Sequence, residues 1–262
     1  MAAGLSGAAL QARIVPAWRG LRWLAEGWRV FRAAPLGWLS LVFVYLFGTQ
    51  LLALVPVVGV VVALLAVPGL SVGMMGAARA ASHGGTLRVA MLFEAFRSGA
   101  REQLVLGMVY LACSMLIFAA ISLADSGGEL RAALAGRGDA GEVEAADWLA
   151  AAAALVILYA PVMMLFWFAP VLAAWHSVAP AKALFFSFFA CLMNWRAFLT
   201  YGAVTAVVML AVPLAALSLP LLLLGADRAR LAPLVLPLVV LMLPTLFASF
   251  YASYRDVFGG GE

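Results

Sequence analysis

Apolar residues in this chain come in long runs rather than in alternation. Six runs cover about Leu36–Val55, Val57–Ala78, Gln103–Ala124, Trp148–Trp175, Phe198–Leu224 and Leu231–Tyr254. A helix needs about 20 apolar residues to cross a bilayer, so each run is long enough for one span. Outer-membrane strands would alternate apolar and polar positions, and stretches such as Leu219–Leu224 do not. Unpaired backbone amides are costly in lipid, so runs of this kind must close their hydrogen bonds internally as helices. The pattern predicts an all-α fold: a polytopic transmembrane helical bundle of about six spans with interfacial amphipathic helices. Residues 1–35 form a cytoplasmic N-terminus, 36–258 a single membrane domain, and 259–262 a tail.

Between the runs, three polar stretches show helical rather than random spacing. In the first, Trp18, Leu21, Ala25 and Trp28 recur on one face, with Arg19, Arg22, Glu26 and Arg29 forming an adjacent charged stripe. A basic, aromatic amphipathic helix suits the headgroup layer of a membrane. Leu87–Arg101 repeats the idea, and Lys182–Arg196 is a more apolar version. Phe31-Arg32, Phe96-Arg97 and Cys191-Leu192 hold comparable places before a span. The spacing is compatible with three repeated units, each a surface helix followed by two spans; chance likeness among apolar segments gives the same few identities.

Composition sharpens the class. Of the 262 residues, 66% are hydrophobic and 11% charged, where a soluble domain carries roughly 25% charged residues. No basic segment followed by a short apolar core marks a cleavable leader, and the first run reads as an uncleaved signal anchor. Of the 16 Lys and Arg, 12 fall in segments that share one side if the N-terminus is inside. That bias favours N-in/C-in. It puts the acidic connection 125–147, with Glu129, Asp139, Glu142 and Glu144, outside.

Candidate chemistry is sparse. No run holds Asp, Glu, Lys or Arg in its middle, which argues against a proton-coupled carrier or an intramembrane carboxylate enzyme. His83 and His176 do not have zinc-protease spacing, and Gly84-Gly85 lacks the lysine of a phosphate loop. Cys113 and Cys191 read as small buried hydrophobes. No catalytic, metal or cofactor site is expected, and no nucleic-acid partner. Prolines within spans can free carbonyls for a solute, and Pro68-Gly69 is the best candidate for such a break; packing kinks are the plainer explanation. The most notable polar residues lie at the cytoplasmic run ends: Trp175, His176, Asn194, Arg196, Tyr254, Arg255 and Asp256. Interfacial anchoring, with an Arg–Asp pair, accounts for them. The sharper alternative is an inner-face pocket for a lipid headgroup or small anion.

At these residues the chain resembles a family of proteobacterial six-span inner-membrane proteins to which no activity is attached. The resemblance rests on Phe166-Trp167-Phe168-Ala169-Pro170, Ala174-Trp175-His176, Lys182-Ala183-Leu184 with Ser187, Asn194, Ala197-Phe198, Tyr201-Gly202 and Ser253-Tyr254-Arg255-Asp256-Val257-Phe258. The N-terminal half matches mainly by pattern, through Phe31-Arg32, Pro35 and the Pro56–Pro68 region. More loosely, the layout is similar to the membrane region ahead of some glycerophosphodiester phosphodiesterase domains, without the catalytic domain. The resemblance implies a location and a helix count and supplies no substrate. The expectation is a non-enzymatic inner-membrane protein that organises or assembles membrane components, or binds anionic lipid at its inner face, with a membrane-protein partner. The alternative is a transporter or channel for a small uncharged or lipidic solute.

Overall fold

The computed structural model describes residues 11–124, 145–224 and 235–259. The acidic connection and the Arg228–Arg230 segment therefore lie outside the described residues. Among the described residues ten α-helices follow in order: α1 Arg19–Ala33, α2 Pro35–Ala53, α3 Val58–Ser82, α4 Glu94–Ser98, α5 Ala100–Ala124, α6 Ala145–Phe166, α7 Ala169–His176, α8 Pro180–Met193, α9 Trp195–Leu224 and α10 Val235–Phe258. No strand occurs among the described residues, so the all-helical class holds. Among the described residues, five stretches are long and apolar enough to cross a membrane: Pro35–Ala53, Val58–Ser82, Ala100–Leu123, Ala153–His176 and Trp195–Ala216. The sixth apolar run becomes α10, a 24-residue helix with Arg255 in its last turn.

Many of the large apolar side chains on these helices are exposed, Leu123 at 85% and Leu116 at 71% among them. A water-facing protein would hide such a band; an acyl-chain solvent accepts it. The cores are correspondingly built from small residues and a few large anchors, Trp23, Trp38 and Phe168, which are fully buried.

The chain divides into two compact units. The first comprises the described parts of Met1–Gly48, Ser71–Glu94 and Phe189–Glu262. Its centre is α1, which packs on α9 and α10. The second comprises Thr49–Leu70 and the described parts of Ala95–Phe188, centred on α5, α6 and α7.

Within the second unit the fourth apolar run is interrupted. Helix α6 continues through Pro161 but stops at Phe166; Trp167 and Phe168 form a turn, and α7 restarts at Ala169 with Pro170 in its first turn. Proline lacks an N–H and suits a helix start. The polar groups opened by the turn are met by side chains. Ser187 Oγ accepts the Phe168 N–H at 2.9 Å and donates to the Met164 carbonyl at 2.8 Å. Gln103 Nε2 donates to the Pro170 carbonyl at 3.0 Å. By contrast, α3 runs on through Pro68 without interruption. The break that the proline-glycine pair suggested is absent there, and the Gly69 backbone lies against the Phe96 ring. Pro68 removes one N–H, but the turns on either side keep helical geometry.

The second polar stretch also differs from its expected form. Instead of one surface helix over Leu87–Arg101, a 3-10 turn at Val89–Phe93 leads into the short α4, and Arg101 already belongs to α5. Gly99 separates α4 from α5, a residue whose backbone entropy weakens a helix.

Candidate functional site

Helix α1 has two apolar faces, and the one that packs on protein is not the one that carries Trp18, Leu21 and Trp28. Gly20, Trp23, Leu24, Gly27 and Phe31 are buried, whereas Trp18, Leu21 and Trp28 are each about half exposed. Glycine decides between the faces. A Cβ at Gly20 would strike the Ala197 carbonyl, and one at Gly27 would strike the Thr245 carbonyl and the Ser249 side chain. Absent those Cβ atoms, α1 closes onto the backbones of α9 and α10, a small-residue contact suited to membrane helices.

That approach seats Trp23 against Phe198 and Tyr201, at ring-centroid distances of 5.2 and 5.9 Å. Its indole Nε1–H donates to Asp256 Oδ2 at 2.7 Å. Arg19 holds the same carboxylate in a fork, Nε to Oδ2 at 2.5 Å and Nη2 to Oδ1. Such two-pronged geometry gives Arg–carboxylate pairs their strength. Arg19 Nη2 also lies 4.0 Å from Glu26, and Glu26 in turn pairs with Arg255. Two cations and two anions thus alternate between α1 and α10. The Asp256 hydrogen bond holds the Arg19 guanidinium above its ordinary pKa, with the Asp256 and Glu26 charges adding to it and burial opposing.

Asp256 pairs with Arg19 and Arg255 with Glu26, across more than two hundred residues of sequence. Asn194, at the α8–α9 junction, completes the attachment: its Oδ1 accepts the Val15 N–H at 2.7 Å, and its Nδ2 donates to the carbonyls of Arg13 and Ala190, each at 2.9 Å. The Arg13 N–H donates to the Val257 carbonyl at 2.9 Å. Tyr254 is buried, stacked between Tyr251 and Phe258. Arg196 is exposed, with its guanidinium 5.4 Å from the Trp195 ring centre.

Of the seven residues singled out from the sequence, Asn194, Arg255 and Asp256 are fixed in this attachment, Tyr254 stacks within α10, and Arg196 stands at the start of α9. Trp175 and His176 end α7 in the second unit. The residues not anticipated are Arg13, Arg19, Trp23 and Glu26. Their signal was present as Gly20 and Gly27, seven apart on the face that carries Trp23.

Chemically the arrangement is a clamp. Both Asp256 oxygens are engaged, which suits holding a helix better than moving a proton. What stays outward on α1 is cationic: Arg22, Arg29 and Arg32 are exposed. Arg22 lies 4.5 Å over the Trp18 ring and Arg32 5.7 Å over Trp28. Among the described residues, no group of three or more His, Cys, Asp or Glu could hold a metal ion.

No family model matches the chain, and no solved structure matches it. A protein of Burkholderia thailandensis named "Probable inner membrane protein" is 39% identical over 260 residues, covering 95% of this chain and 94% of its own length. The five membrane-length helices and this near end-to-end likeness agree on a multi-pass protein of the bacterial inner membrane. The chain belongs to the family of that Burkholderia inner-membrane protein.

Proposed function

We propose that this is a non-enzymatic protein of six spans with both termini in the cytoplasm, which binds anionic lipid at its inner face and helps organise or assemble other membrane components. The observation that carries the reading is the division of labour among the arginines of α1. Arg19 is committed to Asp256, while Arg22, Arg29 and Arg32 stay exposed, two of them against tryptophan rings. A clamped helix presents those charges at a fixed place, where each basic residue near an anionic leaflet contributes about 1 kcal/mol.

The test is lipid analysis of the protein extracted in polymer nanodiscs. Enrichment of anionic phospholipid over the bulk membrane is expected, and the triple variant Arg22→Gln, Arg29→Gln, Arg32→Gln should lose it. Equal enrichment in both proteins would overturn the reading. Reporter fusions after Gly259 and within residues 125–144 should report cytoplasm and periplasm respectively, and co-purification in mild detergent should recover a membrane-protein partner.

The interrupted α6–α7 helix favours a second reading, a transporter for a small uncharged or lipidic solute, since broken helices line substrate sites in carriers. Against it, the turn's Phe168 N–H and its Met164 and Pro170 carbonyls are already bonded to Ser187 and Gln103. Flux across a liposome panel would favour this reading over the first.

A further inference from the structure

In the second unit, the start of α5 and the link from α7 to α8 border a cavity of about 670 Å³. Its volume lies in the range of small-molecule sites. Two membrane-length stretches end at its wall: Ala100–Leu123 begins there with Arg101 and Glu102, and Ala153–His176 finishes there with Ala173 in its last turn. The cavity therefore lies where such stretches reach the headgroup layer. Its lining is graded in the same direction. Arg101, Glu102 and Ser177 stand at the outer end, whereas Val105 and Ala173 lie one turn further into the two stretches.

The outer end holds two opposite charges that are not spent on each other. Among the described residues, neither the Arg101 nor the Glu102 side chain makes a hydrogen bond or an ion pair. Successive positions on a helix point about 100° apart, so these neighbours diverge instead of meeting, and both line the cavity. Glu102 is half-buried, and its Oε2 lies 3.6 Å from where a Cβ on Gly99 would stand. That places the carboxylate over the start of α5, where a helix favours negative charge. Ser177 takes the left-handed turn, φ 52°, that ends α7 before the chain returns as α8. A lone anion in this cavity would meet the Glu102 carboxylate, and a lone cation would meet the Arg101 guanidinium. A group that carries both charges satisfies both. The apolar inner end, at membrane depth, suits an amphiphile better than a free zwitterion.

We propose that this cavity seats the head of a zwitterionic glycerophospholipid with a primary ammonium, Arg101 and the Ser177 hydroxyl meeting its phosphate and Glu102 accepting from its ammonium. The site is separate from the α1 arginines and does not rest on the anionic-lipid reading above.

Native mass spectrometry of the full chain in mild detergent tests it, with phosphatidylethanolamine, phosphatidylglycerol and phosphatidylcholine as probes. The wild type should retain one phosphatidylethanolamine about tenfold better than either other lipid. Phosphatidylglycerol has no ammonium, and the nitrogen of phosphatidylcholine has no proton to donate. Glu102→Gln should abolish that preference, and Arg101→Gln should lower retention of all three about tenfold. Ser177→Gly, which suits the left-handed turn, should lower it about fivefold. Ala181→Trp, at an exposed α8 position on the cavity wall, should block the seat with the thermal transition unchanged. Undiminished phosphatidylethanolamine retention in both Arg101→Gln and Ala181→Trp would overturn the site. A wild-type preference for phosphatidylglycerol that Glu102→Gln leaves alone would overturn the ammonium assignment. Displacement of the lipid by an equal concentration of soluble glycerophosphoethanolamine would overturn the amphiphile. The triple variant Arg22→Gln, Arg29→Gln, Arg32→Gln should keep the phosphatidylethanolamine adduct; its loss there would put the adduct on α1 and overturn this site.

Discussion

Around α1, the polar groups taken from water are charged and come from opposite ends of the described chain; around the α6–α7 interruption they are neutral and come from nearer helices. Arg19 reaches Asp256 across 237 positions, whereas Ser187 reaches Met164 across 23 and Gln103 reaches Pro170 across 67. The two solutions suit their surroundings. An interruption within a membrane-length stretch needs donors and acceptors that carry no net charge, because ions there are costly. A helix that must be held at the edge of the apolar band can use ion pairs, since its partners keep some access to water: Arg19 is 21% exposed and Arg255 42%.

The largest effect should follow from removing the shared centre of the clamp. Trp23→Ala deletes a fully buried ring and one Asp256 hydrogen bond, a loss of about 3–5 kcal/mol; trypsin should then cut readily at Arg13, Arg19 and Arg22 in the folded detergent-solubilised protein. Asp256→Asn should cost about 3 kcal/mol by stranding Arg19, and the exchange Arg19→Asp with Asp256→Arg should recover part of it. No recovery would mean that packing, rather than charge, holds α1. In the second unit, Ser187→Ala leaves the Phe168 N–H and Met164 carbonyl unmet and should cost about 1–3 kcal/mol, read as a lower thermal transition with the trypsin pattern unchanged. Arg255→Gln should change stability by less than about 1 kcal/mol, and less still in high salt. Least affected is the reactivity of Cys191, whose burial pushes the thiol up; it should resist maleimide in the folded protein and react on denaturation.

The helices were largely legible because run length alone specifies them in a bilayer. The run Leu36–Val55 became Pro35–Ala53, and Val57–Ala78 became Val58–Ser82. The turn before Pro170 was harder to see, since Pro161 and Pro68 stand in similar surroundings and leave their helices continuous. What separates them is Ser187, a residue in another helix, and a linear pattern does not show which helix will face which. The packed face of α1 was hidden for a different reason. Hydrophobic weighting favours Trp18, Leu21 and Trp28, whereas Gly20 and Gly27 count for little until another backbone is brought against them. Asp256 was noted as a charged end residue, but its partner could not be chosen among the many arginines without that approach.

The clamp also sets an order of events during synthesis. Helix α1 is made early, yet Asp256 is added 237 positions after Arg19. At translation rates of about 5–20 residues per second, the early helix waits roughly 10–50 s before its carboxylate exists. Trp23 gains its α9 partners Phe198 and Tyr201 first, and Arg19 gains its carboxylate only when Asp256 follows, so a product that stops short of Asp256 lacks the fork. A protease or chaperone that reads an undocked N-terminal helix could thereby tell an unfinished chain from a finished one.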